Sequence, residues 1–145
     1  MEQIHATCIA IDGVGVLLRG PSGAGKSDLA LRLIDVGGRL VADDRADLRL
    51  VEGSVVAAPP PALAGLIEAR GLGILRIGAL SEAAIARVVD LSSAELVERL
   101  PARETVEILG VELPSVRIAP CEAAAVAKVR LAVREATRNI VRADD

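Results

Sequence analysis

Residues 20 to 27 read GPSGAGKS, which satisfies GxxxxGK[ST] at every constrained position. The chemistry this pattern serves is phosphate binding. Gly20, Gly23 and Gly25 let backbone N–H groups converge where side chains would obstruct, with Pro21, Ser22 and Ala24 completing the loop. A helix that follows would point its positive end at the same place. Lys26 can neutralise β/γ-phosphate charge, and the Ser27 hydroxyl can ligand Mg²⁺. The motif predicts binding of ATP or GTP with Mg²⁺, and it names no reaction. Two adjacent carboxylates, Asp43 and Asp44, follow at the end of the apolar run Leu40-Val41-Ala42. Neighbouring strand residues point to opposite faces, so both acids reach one site only where the strand ends and the backbone turns. One acid could then hold a metal, directly or through water, while the other acts as a base towards an attacking hydroxyl. The plainer alternative is one metal acid beside a solvated surface acid.

These residues need elements to position them. IHATCIAI and VGVLLRG, separated by Asp12-Gly13, predict a hairpin or two neighbouring strands, the second running into Gly20. KSDLALRLIDV repeats Leu29, Leu33 and Val36 at helical spacing and stops at Gly37-Gly38. RLVADD predicts a strand, ADLRLVEGSVVAA a second hairpin, and Pro59-Pro60-Pro61 a loop outside any central strand. IARVVDL predicts a strand and SSAELVERL a short helix capped by Ser92 or Ser93. ETVEILGVELPSVRIA predicts two strands about Gly110, and EAAAVAKVRLAVREATRNIV an amphipathic helix with Val126, Val129, Val133 and Ile140 on one face. The expectation is a single α/β P-loop domain over residues 1–145, with a mixed, strand-rich sheet and few helices.

Bulk composition narrows the function classes. With 52% hydrophobic and 26% charged residues, the 145-residue chain can bury a core of Leu, Val, Ile and Ala. It contains no Phe, Tyr or Trp, so it offers no aromatic platform for single-stranded nucleic acid. A net charge of -3 supplies no basic footprint for DNA or RNA. Cys8 and Cys121 form no CxxC pair and are expected to be buried free thiols. No apolar run is long enough to span a membrane, and the N-terminus does not resemble a secretion signal, so the expected location is cytoplasmic.

Three blocks in order carry a more specific resemblance: GPSGAGKS, then LVADD, then Ile67-Glu68-Ala69-Arg70-Gly71-Leu72-Gly73-Ile74. Together they resemble the HPr kinase/phosphorylase family, in the part corresponding to its catalytic domain, over roughly residues 4 to 118. The resemblance implies an ATP- and Mg²⁺-dependent kinase for a serine of HPr, the phosphocarrier of the sugar phosphotransferase system. It also implies the reverse reaction, in which inorganic phosphate releases pyrophosphate, and assembly as hexamers. Carried over residue by residue, it implies that Asp44 is the catalytic base and that Asp43 supports it or a metal. It further implies that Glu68 ligates Mg²⁺ beside Ser27, that His5 is an active-site histidine, that Lys26 is the P-loop lysine and that Arg99 contacts the phosphoryl site. Arg70 falls in the segment tied to both reactions. One departure concerns APCEAAAVAKVRLAV, which lacks the family's Gly-Arg-Asn loop. The reverse reaction is then without its usual loop unless Lys128 or Arg130 substitutes. Two other functions fit the same motifs: a P-loop kinase for another acceptor, and a nucleotide-binding regulatory module with little turnover. A pure binder has no use for a base, so Asp44 and Glu68 separate it from a kinase.

Overall fold

The computed structural model describes residues Met1–Asp145. Eleven strands and two helices occur in chain order: β1 (Glu2–Ile4), β2 (Ala6–Ile11), β3 (Val14–Arg19), α1 (Lys26–Asp35), β4 (Arg39–Ala42), β5 (Ala46–Val51), β6 (Ser54–Ala58), β7 (Leu66–Ala69), β8 (Gly73–Arg76), β9 (Ala83–Leu91), β10 (Glu104–Ile108), β11 (Val111–Ile118) and α2 (Ala125–Ala136). Three hairpins close on two-residue turns, Asp12-Gly13, Glu52-Gly53 and Leu109-Gly110. Both residues of each turn have positive φ, the type I′ geometry whose twist matches that of the flanking strands. This is why the Xaa-Gly pairs were readable as turns.

The main sheet has nine strands, ordered β1-β5-β6-β9-β3-β2-β4, with the β10–β11 hairpin attached through β11 to β9. β9 pairs parallel with β3 and with the end of β11, and antiparallel with β6 at its start, so the sheet is mixed as expected. Alternation along the central strands divides the apolar residues between two cores. Cys8, Leu17 and Val88 face a layer containing Leu48, Val55 and Leu113. Ile9, Leu18 and Val89 face the helices, where Leu29, Leu33, Val129 and Val133 pack. Leu29 is 0% exposed; burying a leucine of this kind contributes about 2 kcal/mol, so packing rather than propensity holds α1. β7 and β8 form a separate two-stranded sheet whose Ile67 is buried in the helix-side core.

Three expectations are corrected. SSAELVERL does not form a helix; only a 3-10 turn, Ala94–Leu96, is present, and Ser93 makes no capping bond. Leu96 and Leu100 remain exposed, so no tertiary contact rewards a helix there. The C-terminal helix ends at Ala136, and left-handed Arg138 (φ 63) turns the chain, so Ile140 lies beyond the helix and off its apolar face. Cys8 is buried as expected, whereas Cys121 is exposed. No helix is long and apolar enough to cross a membrane.

Candidate active site

β3 and β4 both run antiparallel to β2, so their C-terminal ends lie at one edge of the sheet together with the start of β2. The loop after β3 carries the glycine-rich motif and leads into α1, whose N-cap is Gly25 in the left-handed region (φ 103). The N–H groups of Gly23, Gly25, Lys26 and Ser27 donate to no acceptor within the protein. A cluster of unpaired donors at a helix start fits an oxyanion. Lys26 is buried, and its Nζ donates to the carbonyls of Gly20 at 2.7 Å and Pro21 at 3.2 Å. Its charge is thus held at the rim of the same loop.

The two acids occupy different environments. Asp43 is half-buried, and its carboxylate accepts three hydrogen bonds. Ser27 Oγ donates to Oδ1 at 2.8 Å, Thr7 Oγ1 donates to the same oxygen at 3.3 Å, and the Glu68 N–H donates to Oδ2 at 3.2 Å. Asp44 has φ 66, the turn that two adjacent acids require if both are to face one cleft. Its N–H donates to Thr7 Oγ1 at 3.0 Å. Its side chain is exposed and makes no hydrogen bond with the protein, which leaves the carboxylate available to a ligand. Asp43 and Asp44 together line a cleft of about 540 Å³ with Ser27, Lys26, Glu68 and Arg70.

Glu68 and Arg70 reach this cleft because β7 lies against α1 through buried Ile67 and Ala69, which leaves the alternate residues exposed. No three His, Cys, Asp or Glu side chains form a ready metal cage. The hard oxygens of Asp43 and Ser27, with Glu68 across the cleft, nevertheless suit Mg²⁺. That ion keeps several waters and takes one or two carboxylates plus substrate phosphates. Two expected residues lie elsewhere. His5 is exposed at the bend between β1 and β2 and does not line the cleft. Arg99 borders a separate groove near α2, with Arg87 and Lys128. Thr7 was not anticipated. It is fully buried within an apolar run, and its hydroxyl links both acids. A lone hydroxyl on the helix-facing side of β2, nearest the P-loop, was the available signal.

Comparison with known proteins gives a consistent result. The family model described as HPr Serine kinase C-terminal domain matches residues 1–141. The HPr kinase/phosphorylase of Burkholderia lata is 40% identical over 149 aligned positions, covering 95% of this chain and 45% of that protein. The HPr kinase/phosphorylase of Clostridium tetani is 42% identical over 78 residues, covering 54% of this chain and 26% of that protein. The chain therefore spans less than half the length of these curated relatives. The structure of the Hpr(Ser) kinase/phosphatase from Coxiella burnetii superimposes with a TM-score of 0.84 at 27% identity, covering 96% of this chain and 92% of that one.

Proposed function

Since the chain belongs to the HPr Serine kinase C-terminal domain family, we propose that it transfers the γ-phosphoryl group of ATP, with Mg²⁺, to a serine of HPr. The observation that carries this reading is the unequal pair of acids at the mouth of the P-loop. Asp43 is tied by three donors, and Asp44 has none on its side chain. A serine hydroxyl is a weak nucleophile until a base is positioned to take its proton. Of the two adjacent acids, Asp44 is the one whose carboxylate is free, and it takes that role. As the serine oxygen bonds to the γ-phosphorus, the bond to the β-bridging oxygen breaks, ADP leaves, and the hydroxyl proton passes to Asp44.

Asp43, Ser27 and Glu68 would hold Mg²⁺, which when bound supplies charge neutralisation for the phosphates. The free N–H groups of the loop bind and orient the phosphate chain, and Lys26 exchanges its Gly20 and Pro21 carbonyls for phosphate oxygens. Arg70, at the end of β7, faces the same cleft and offers a second cation to the transferring group. The reading treats residues 1–145 as one catalytic domain, active in the cytoplasm and able to assemble with further copies of itself. The reverse reaction with inorganic phosphate would use Asp44 as the acid.

The test is label transfer from γ-labelled ATP to HPr of the same organism, with the HPr Ser→Ala variant as control. Label lost with Ser→Ala supports the kinase. Pyrophosphate formed on later addition of inorganic phosphate supports the reverse step. The Asp44→Asn protein is expected to bind nucleotide normally and transfer phosphate on the order of a thousandfold more slowly. Wild-type transfer by Asp44→Asn would remove the base from this mechanism.

A further inference from the structure

Two cations are buried in this chain, and the fold treats them differently. Lys26 donates to two carbonyls of the P-loop. Arg87, in the middle of β9, makes no hydrogen bond within the protein. It is 9% exposed, its Nε is enclosed without a partner, and its one counter-charge is Glu135 of α2 at 3.6 Å. Glu135 is shared with Arg103 at 3.5 Å. Burial weakens the hold of Arg87 on its proton, Glu135 restores part of it, and the like charges of Arg103 and Arg142 weaken it again. A desolvated guanidinium is costly until charge-assisted hydrogen bonds complete it.

Arg87 lines a cavity of about 140 Å³ together with Arg103, Arg142, Glu104 and Glu135. It also lines a groove of about 450 Å³ between α2 and the segment from Leu96 to Pro101. Arg87, Glu135 and Arg142 belong to both, so the two adjoin as one recess. Neither shares a residue with the acid cleft. Cations outnumber carboxylates along the groove, and two of them, Arg99 and Arg117, have no ion-pair partner. The rest of its wall is apolar. Leu96, Leu100, Leu131 and Val141 border it at 58%, 73%, 48% and 58% exposure. These are four of the ten exposed large apolar residues of the chain, and such a concentration marks a surface left for something to cover.

We infer that this recess binds a small organic carboxylate with an apolar body, the carboxylate on Arg87 and the body along Leu100, Leu131 and Val141. A guanidinium takes a carboxylate through two parallel N–H bonds, which would give Arg87 the acceptors it lacks. A bare anion would leave the apolar walls wet, and a neutral apolar molecule would leave the cation uncompensated. A ligand with both parts answers both. The groove falls in the range of small-molecule sites, about 300–1,000 Å³. Its walls are joined beforehand, since Arg142 donates to the Pro101 carbonyl at 3.0 Å, which lowers the ordering cost of binding. The inference goes beyond the kinase reading and does not rest on it.

The test is equilibrium dialysis of labelled octanoate against the intact chain. One equivalent is expected to bind, with a Kd on the order of 100 µM. Acetate and inorganic phosphate, which carry charge without the apolar body, should compete on the order of a hundredfold more weakly. 1-Octanol, which lacks the charge, should compete roughly tenfold more weakly. Arg87→Met should bind octanoate at least about tenfold more weakly. Arg99→Gln and Leu131→Gln, at positions on the groove wall outside the buried core, should each lose roughly three- to fivefold, and they keep the test decisive if Arg87→Met fails to fold. No binding, several equivalents, affinity unchanged in all three variants, or equal competition by acetate, phosphate or 1-octanol overturns the inference. Self-association that closes the groove against octanoate, read by sedimentation velocity, also overturns it and makes a second copy the occupant.

Discussion

The Thr7 hydroxyl is the smallest group in the site on which the arrangement of both acids depends. It is 0% exposed, accepts the Asp44 N–H at 3.0 Å and donates to Asp43 Oδ1 at 3.3 Å. Thr7→Val keeps the volume and β-branching and removes both bonds. The Asp44 N–H then loses its acceptor, which costs about 1–3 kcal/mol. That loss falls on a residue already held at φ 66, a conformation that costs a non-glycine residue about 1 kcal/mol or more, so the turn is expected to relax. Asp43 keeps its bonds from Ser27 and Glu68, and nucleotide affinity should therefore change less than about threefold. Transfer should fall on the order of 10- to 100-fold, the penalty for moving a catalytic group by about 1 Å. The assay is single-turnover transfer at saturating ATP, with stability followed by far-ultraviolet circular dichroism because the chain has no Trp or Tyr. Thr7→Ser, which keeps the hydroxyl, should recover most of the rate. Wild-type transfer by Thr7→Val, or an equal loss in Thr7→Ser, would refute the argument.

Other consequences concern the scaffold. Gly38→Ala places a Cβ 2.9 Å from the Leu33 carbonyl oxygen and 3.0 Å from Ile9 Cγ2, so the urea midpoint should drop by the equivalent of about 1–3 kcal/mol. Burial raises Cys8 from 9.0 to about 12, so the folded chain keeps a proton that the unfolded chain sheds above pH 9. Stability is then fully present below that pH and falls by about 1.4 kcal/mol per pH unit towards 12, a slope that Cys8→Ala should lack in denaturation curves. Arg87 is 9% exposed, has no partner for Nε, and lies 3.6 Å from Glu135. Glu135→Ala is therefore expected to cost about 3 kcal/mol by stranding the charge, whereas Arg87→Met should be nearly neutral, both read by urea denaturation.

The parts legible in the sequence were those set by neighbouring residues. The P-loop is a contiguous backbone device, and the Asp12-Gly13 and Glu52-Gly53 turns carry their own conformational preference. What escaped depends on pairing across the sheet. Thr7 sits in an apolar, β-branched run, and it meets Asp43 only because β2 pairs with β4, with a register shift between Cys8 and Ile9. SSAELVERL had the composition of a helix. Its leucines found nothing to pack against, and a short segment does not hold a helix on propensity alone. Cys121 looked like a packing residue and is exposed, because Arg32 donates to the Pro120 and Glu122 carbonyls and so draws the backbone of its loop, not its side chain, against α1.

On the proposed reading, the pair Asp43-Asp44 divides two tasks between residues of one type. On a regular strand, adjacent carboxylates would face opposite sides of the sheet, and one would be lost to the site. The left-handed turn at Asp44 returns both to one cleft. Hydrogen bonding then separates them. Three donors fix Asp43 in place beside the Ser27 hydroxyl, while the Asp44 carboxylate has no partner in the protein, the difference on which the proposed roles of metal ligand and base rest. Thr7 holds the turn from one side, and β7 supplies the Glu68 N–H from the other. The difference between the two carboxylates therefore lies in their partners, outside the two residues themselves. An asparagine at 44 would keep the turn and lose the base, and one at 43 would keep the base and weaken the metal site.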